Sequence, residues 1–276
     1  MATGLGTTAS GFVSYTEGHG SEASGIGSHA EGYFTLASGH YSHVEGYLSK
    51  ATNEFSHAEG HNTEANGYIS HAEGNFSKAE GTYSHSEGSE TTASGSCSHA
   101  EGKSACAYGD NSHAEGSSSK ANGESSHAEG ASTLTYGKAA HAEGLNAVAK
   151  GNYSHVEGIS TMAFGESSHT EGKSASYSTR ISYKTSQLCW IDLNDAPEKL
   201  TQARSLSVND NFYTITRIER MAEGYNLYIE ENFKEANFSK QAANVYVGGA
   251  IGDYSHTEGY SSQSIGLSSH AEGWEA

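Results

Sequence analysis

A period of 14 residues constrains this chain more than any other feature. The pentapeptide Ser-His-Ala-Glu-Gly, with close variants, occurs thirteen times. Eleven of its histidines, from His29 to His169, are spaced 14 apart, and His256 and His270 repeat that spacing further on. A degenerate copy with Tyr15 in the histidine slot precedes them. So strict a register over so many copies reads as one short structural unit stacked on itself.

Composition supports a repeat architecture over an ordinary globular domain. Among 276 residues there are 34 glycines, one proline and 34% hydrophobic residues, too few large side chains for a thick core. Low-complexity disorder can share that composition, but it does not keep a register. The net charge of −18 belongs to the repeat. Fourteen of the 33 acidic residues are repeat glutamates, and without them 19 acids face 15 bases. That acidity argues against a nucleic-acid partner. Cys97, Cys106 and Cys189 are scattered and imply no disulfide framework. Met1-Ala2-Thr3-Gly4 leads into the repeat without a basic region or apolar core of a signal peptide, and no stretch has the ~18 apolar residues of a membrane span. The expectation is synthesis in the cytoplasm and no membrane insertion.

Each repeat alternates two short runs with glycines. In one run a small pair recurs: Thr35 and Ala37, Ser49 and Ala51, Thr63 and Ala65, Ser77 and Ala79. The residue between them drifts: Leu36, Lys50, Glu64, Lys78, Thr92, Cys106, Lys120, Met162. Neighbours in a strand point to opposite faces, so the small pair is predicted inside and the drifting slot in water. In the other run Ala30, Val44, Ala58 or Ser86 faces the interior, which puts His and Glu on the outer face. Glycines such as Gly32 and Gly25 fit left-handed backbone or close approach between coils, with Asn53 as the tolerated substitute. The fold class predicted is all-β: a parallel β-roll or β-solenoid of 14-residue coils, two strands each.

Ser28-His29-Ala30-Glu31-Gly32 and Leu36-Ala37-Ser38-Gly39 resemble the head repeat of trimeric autotransporter adhesins, a 14-residue unit that builds a left-handed parallel β-roll. The likeness covers about residues 9–176 and 250–276. It implies a homotrimer with the His/Glu stripe at the trimer axis, where the family has Val and Ile. The pentapeptide itself is similar to repeats in fibre and tail proteins of bacteriophages.

The pattern breaks after Gly172 and resumes at Ala250-Ile251-Gly252. Excising Tyr177 to Gly249 places His256 14 positions after His169, so the domains predicted are repeats at 1–176, an insert at 177–249 and repeats again at 250–276. The insert holds all four arginines, the sole Pro197 and Trp190. Leu188–Ile191, Phe212–Ile215, Tyr225–Ile229 and Val245–Val247 read as strands of a small antiparallel β domain, and Asp195–Glu198 as the start of a helical turn.

The candidate ladder is His29 and Glu31, His43 and Glu45, His57 and Glu59, His71 and Glu73, His85 and Glu87, His99 and Glu101, His113 and Glu115, His127 and Glu129, His141 and Glu143, His155 and Glu157, His169 and Glu171, His256 and Glu258, and His270 and Glu272. It reads either as a solvated stripe or, on the resemblance, as a polar ladder at the trimer axis that fixes register between chains. Stacked carboxylates repel, so each needs a donor, and the expectation is that His/Glu pairing raises the His and lowers the Glu pKa values. His and carboxylate are both metal ligands, yet nothing in the sequence marks particular repeats, so neither metal nor cofactor is expected. Thirteen copies are not one catalytic constellation, and no enzyme is expected.

The aromatics Tyr33, Phe34, Tyr41, Tyr47, Phe55, Tyr68, Phe76 and Tyr83 read as rings over the coil edges. In the insert, Trp190, Tyr213, Tyr225 and Tyr228 are candidate receptor contacts as well as candidate core. The function expected is a structural and adhesive phage fibre, part of a virion, with other virion proteins and a host-surface glycan or protein as partners. The alternative is a head fragment of a bacterial surface adhesin.

Overall fold

The computed structural model describes residues 1–196, 200, 203, 205–209, 211–233, 241–247, 249–250, 254–260, 262–264 and 267–274. The chain folds as a parallel β-solenoid with a small antiparallel β domain inserted. Two compact units, Met1–Val156 and Glu157–Ala276, divide it. The second combines a repeat coil, the insert and the resumed repeats.

In the first unit every coil contributes a five-residue strand, such as His57–His61, His71–Asn75 and His85–Ser89, and a two-residue strand, such as Glu64–Ala65 and Lys78–Ala79. Long strands pair only with long and short only with short, in parallel and in register: His71 faces His57 on one side and His85 on the other. A 14-residue coil returns each residue to its own kind, so the interior is a stack of identical small groups. Ala23, Ala30, Ala37, Val44, Ala51 and Ala58 are all 0% exposed. Some of the small hydroxyls among them are satisfied internally: Ser49 Oγ and Ser77 Oγ donate to the carbonyls of Gly60 and Gly88, each at 3.1 Å, whereas Thr63 Oγ1 and Thr133 Oγ1 are buried without a hydrogen-bond partner.

Two corner features follow from packing coils this closely. Gly32 lies at φ +117°, and a Cβ there would sit 2.1 Å from the Gly46 carbonyl oxygen, so both conformation and space demand glycine. Gly25 has no positive φ; only its approach to Gly39 requires it, with a Cβ-to-oxygen distance of 2.0 Å. Asn53 occupies this second series and is not left-handed, which corrects the expected reason for its tolerance. Left-handed backbone falls instead on non-glycine corner residues, among them Phe34 (φ 52°), Tyr41 (φ 57°) and Phe55 (φ 55°). Such a conformation costs about 1–2 kcal/mol per residue. It persists here because it aims the corner amide at the preceding coil: Phe34 N donates to His19 O at 2.8 Å and Tyr41 N to Ile26 O at 2.7 Å.

In the second unit the strand His169–Lys173 is followed directly by Ala175–Thr185, the first strand of the insert. The chain returns at Gln241–Val247 and resumes the roll at Gly249–Ala250. Ala163 then pairs with Ala250, and His169 pairs in parallel with His256, 87 positions on, in the register a 14-residue coil requires. The insert is a closed antiparallel barrel in the order Ala175–Thr185, Leu188–Asp192, Gly224–Ile229, Asn211–Met221, Ser205–Val208, Gln241–Val247. Its core holds Ile181, Cys189, Ile191, Leu206, Leu227 and Ile229. A 3-10 turn spans Leu193–Asp195. Of the helical turn expected to start at Asp195, Pro197 and Glu198 lie outside the described residues.

One burial expectation holds at Lys50 and Lys78, which are exposed, and fails further along the chain. The drifting slot was placed in water, yet Leu134, Val148 and Met162 in that slot are buried. At Met162 the cause is visible within the second unit, where Ser205 Oγ of the barrel donates to its Sδ at 3.2 Å.

Candidate functional site: the histidine and glutamate ladder

A strand places residues i and i+2 on one face, so His and Glu of each repeat emerge side by side. Parallel in-register pairing then stacks each on its counterpart one coil away. His85 and His99 have ring centroids 4.8 Å apart with planes 3° from parallel, and His113 and His127 repeat this at 4.8 Å and 2°. The column is half-buried: in the His99/Glu101 pair each side chain is 36% exposed.

The expected donor arrangement is not what the ladder adopts. His Nε2 and Glu Oε2 of one coil are 3.7 Å apart at His85/Glu87 and His99/Glu101, and 4.0 Å at His29/Glu31, too long for a hydrogen bond. The Nε2 atoms of His57, His71, His85, His99, His113 and His127 are shielded from solvent without a hydrogen-bond partner. Electrostatics follow from that. Burial, and then the flanking imidazoles, push the pKa values of His43, His57, His71, His99, His127 and His141 below the ordinary histidine value. Burial, and then neighbouring carboxylates, push Glu73 and Glu101 up. Both directions are the reverse of the sequence expectation. Like stacks on like in a parallel coil, so desolvation and self-repulsion outweigh the His/Glu attraction.

Five His-Glu-His groups bring three ligand atoms within 4.8 Å of one another: His57-Glu59-His71, and four that run coil to coil from His85 to His141. Geometry thus singles out particular repeats where the sequence alone did not.

The serine of the pentapeptide has a role that sequence reasoning missed. Ser42, Ser70 and Ser98 are buried and donate Oγ to the carbonyls of Gly39, Gly67 and Gly95, each at 2.7 Å, closing the turn into the long strand. The signal was the invariance of Ser before His in most copies.

The corner aromatics stack as expected of edge-covering rings. Tyr33 and Tyr47 lie 5.1 Å apart at 1°, and Tyr41 and Phe55 5.3 Å apart at 10°.

The four barrel candidates separate. Tyr213 is 4% exposed and packs on Phe233 in the core, so it is not a surface contact. Tyr225 packs partly buried against the same core. Trp190 and Tyr228 alternate out of step with the core residues Cys189, Ile191, Leu227 and Ile229 and take the outer face. There Trp190 Nε1 donates to Asp192 at 2.7 Å, with Lys184 Nζ 4.1 Å over its ring. Arg217 lies 3.9 Å over Tyr228, whose hydroxyl donates to Glu219 at 2.8 Å. The sequence named these aromatics but not the cations that cover them.

Among the described residues no helix is long and apolar enough to cross a membrane. No protein-family model matches the chain, and a search of curated proteins finds no match.

Proposed function

We propose that this chain is a structural and adhesive fibre protein of a bacteriophage or phage-like particle. Three copies associate through their His/Glu stripes into a stiff homotrimeric shaft, held on the virion by other virion proteins. The inserted barrel is the lateral domain that meets a host-surface glycan or protein.

The observation that carries this reading is the ladder itself. Its imidazole and carboxylate columns are half-buried, uniform from coil to coil, and hold shielded Nε2 atoms without partners. A surface designed only for water has no need of such uniformity, and the slot at Lys50, Glu64 and Lys78 shows how freely a solvated position varies. Facing stripes from neighbouring chains cover the half-exposed imidazole and carboxylate columns and fix register between the chains. The barrel supports the second half of the reading. It enters and leaves the roll at one coil without disturbing the register of His169 and His256, and it displays Trp190 and Tyr228 outward.

Deleting Tyr177–Gly249 tests the division of labour. The shortened chain is expected to remain folded and trimeric while losing adhesion to the host surface. Adhesion that survives the deletion contradicts the role given to the barrel. Capsid, tail or baseplate genes beside the coding sequence support the virion assignment; a secretion and anchoring context favours a bacterial adhesin instead.

A further inference from the structure

The stripe sets a nitrogen and an oxygen donor side by side in coil after coil. His99 Nε2 and Glu101 Oε2 are 3.7 Å apart, and His113 Nε2 and Glu115 Oε2 3.6 Å. These gaps are too long for a hydrogen bond, and they suit an ion between the two atoms. A first-row divalent metal bonded at about 2.0–2.1 Å to imidazole and about 2.0–2.2 Å to carboxylate bridges such a gap with a bond angle of roughly 125°. The nitrogens concerned are shielded and lack hydrogen-bond partners. Parallel stacking brings a third donor within reach, the imidazole of the next coil, whose ligand atom lies within 4.8 Å of the other two. A tilt of the two rings toward each other converges all three.

We propose that the ladder binds first-row divalent transition-metal ions, of which Zn2+ is the type, each held between successive coils by His, Glu and His. Imidazole with carboxylate suits zinc, nickel, copper or iron, whereas calcium and magnesium require sets of oxygen ligands. The inference uses single-chain geometry and does not depend on whether the stripe faces a trimer axis.

Stoichiometry follows from shared ligands. Each imidazole offers one Nε2, so two groups that share a histidine cannot both be filled. His57-Glu59-His71 stands alone and takes one ion. The four groups from His85 to His141 each share a histidine with the next, so at most two of them fill together. Saturation is therefore three ions per chain.

The test uses the full chain, stripped with chelator and checked for retained β structure by circular dichroism. Zn2+ alone is titrated calorimetrically, bound ions are counted after dialysis, and Co2+ is used as a spectroscopic probe of nitrogen and oxygen ligation. The expected count is three. Glu59→Gln and His99→Gln are each expected to give two, and their combination one. Glu101→Gln is expected to keep three, because the groups at His85/His99 and His113/His127 remain available. Replacing His40 and His61, which lie off the stripe, is expected to change nothing. Sedimentation run in parallel separates ion binding from assembly. Absence of stoichiometric binding overturns the proposal, as does a count indifferent to Glu59→Gln and His99→Gln. Ligand-field bands of Co2+ in the unsubstituted protein provide a readout that needs no variant, and bands of hexaaqua cobalt alone count against it.

Discussion

His85 and His99 lie face to face with ring centroids 4.8 Å apart and planes 3° from parallel, one coil above the other. Protonating both places two cations at that separation in a half-buried column. Burial in this column, and then the flanking imidazoles, hold His43, His57, His71, His99, His127 and His141 neutral more firmly than the unfolded chain does, and pH acts on stability through that difference.

For His43, His57, His71, His99, His127 and His141 the folded pKa is lowered. The unfolded chain then binds more protons below its own value near 6.5, and stability is lost as pH falls through that value toward the folded one. Glu73 and Glu101 are raised, so they contribute stability below about 4.5 that is lost as pH rises through their folded values. In chelator-treated protein the melting temperature is expected to be highest at neutral pH or above, and to fall between pH 7 and pH 5. The fall flattens in more acid solution as the glutamates protonate. A melting temperature that peaks near pH 5.5 contradicts these directions.

Glu101→Gln removes one charge from a column of like charges. At neutral pH it is expected to leave stability unchanged or raise it by less than about 1 kcal/mol, given its partial exposure. Thermal melts against Lys120→Gln provide the comparison. A large loss indicates that the Glu101 carboxylate accepts a bond the single chain does not contain.

Gly88→Ala forces a Cβ to within 2.2 Å of the Gly102 carbonyl oxygen at a φ of +109°. Strain and coil separation together are expected to cost about 3 kcal/mol or more. Gly6→Ala, with open space around its Cβ, is expected to cost far less. Denaturant titration of the two variants measures the difference.

In the barrel, Tyr213→Ala opens the core beside Phe233 and is expected to destabilise that domain by about 3–5 kcal/mol. Trp190→Ala and Tyr228→Ala strip outer-face rings and are expected to leave folding nearly intact while reducing host-surface binding. Calorimetric unfolding paired with a cell-binding assay separates the two outcomes.

The solenoid was legible because a coil of 14 repeats its own pattern. Ala37, Ala51 and Ala65 announce an interior, and the excised register at His169 and His256 announces that the roll continues beyond the insert. The barrel was legible only in part. Leu188–Ile191 reads as a strand by its run of apolar residues, but the Ala175–Thr185 strand continues the composition of the repeat and hides at the boundary. Side-chain electrostatics were read with the wrong sign, because sequence puts Glu101 two residues from His99 without revealing that stacking sets Glu101 in register between Glu87 and Glu115, where burial and then those carboxylates push its pKa up. The left-handed corners at Phe34 and Tyr41 were invisible for a similar reason. Glycine marks that conformation from sequence, whereas here a hydrogen bond to the preceding coil holds aromatic residues in it.

The central claim is that the His/Glu stripe is covered by other copies of this chain. Multi-angle light scattering on the purified protein at neutral pH measures this most directly. The chain mass is 29.0 kDa, and the expected result is three times that, 87.0 kDa, at every concentration where the protein is folded. A well-folded species of 29.0 kDa would show that the stripe stands in water and that the fibre reading is wrong.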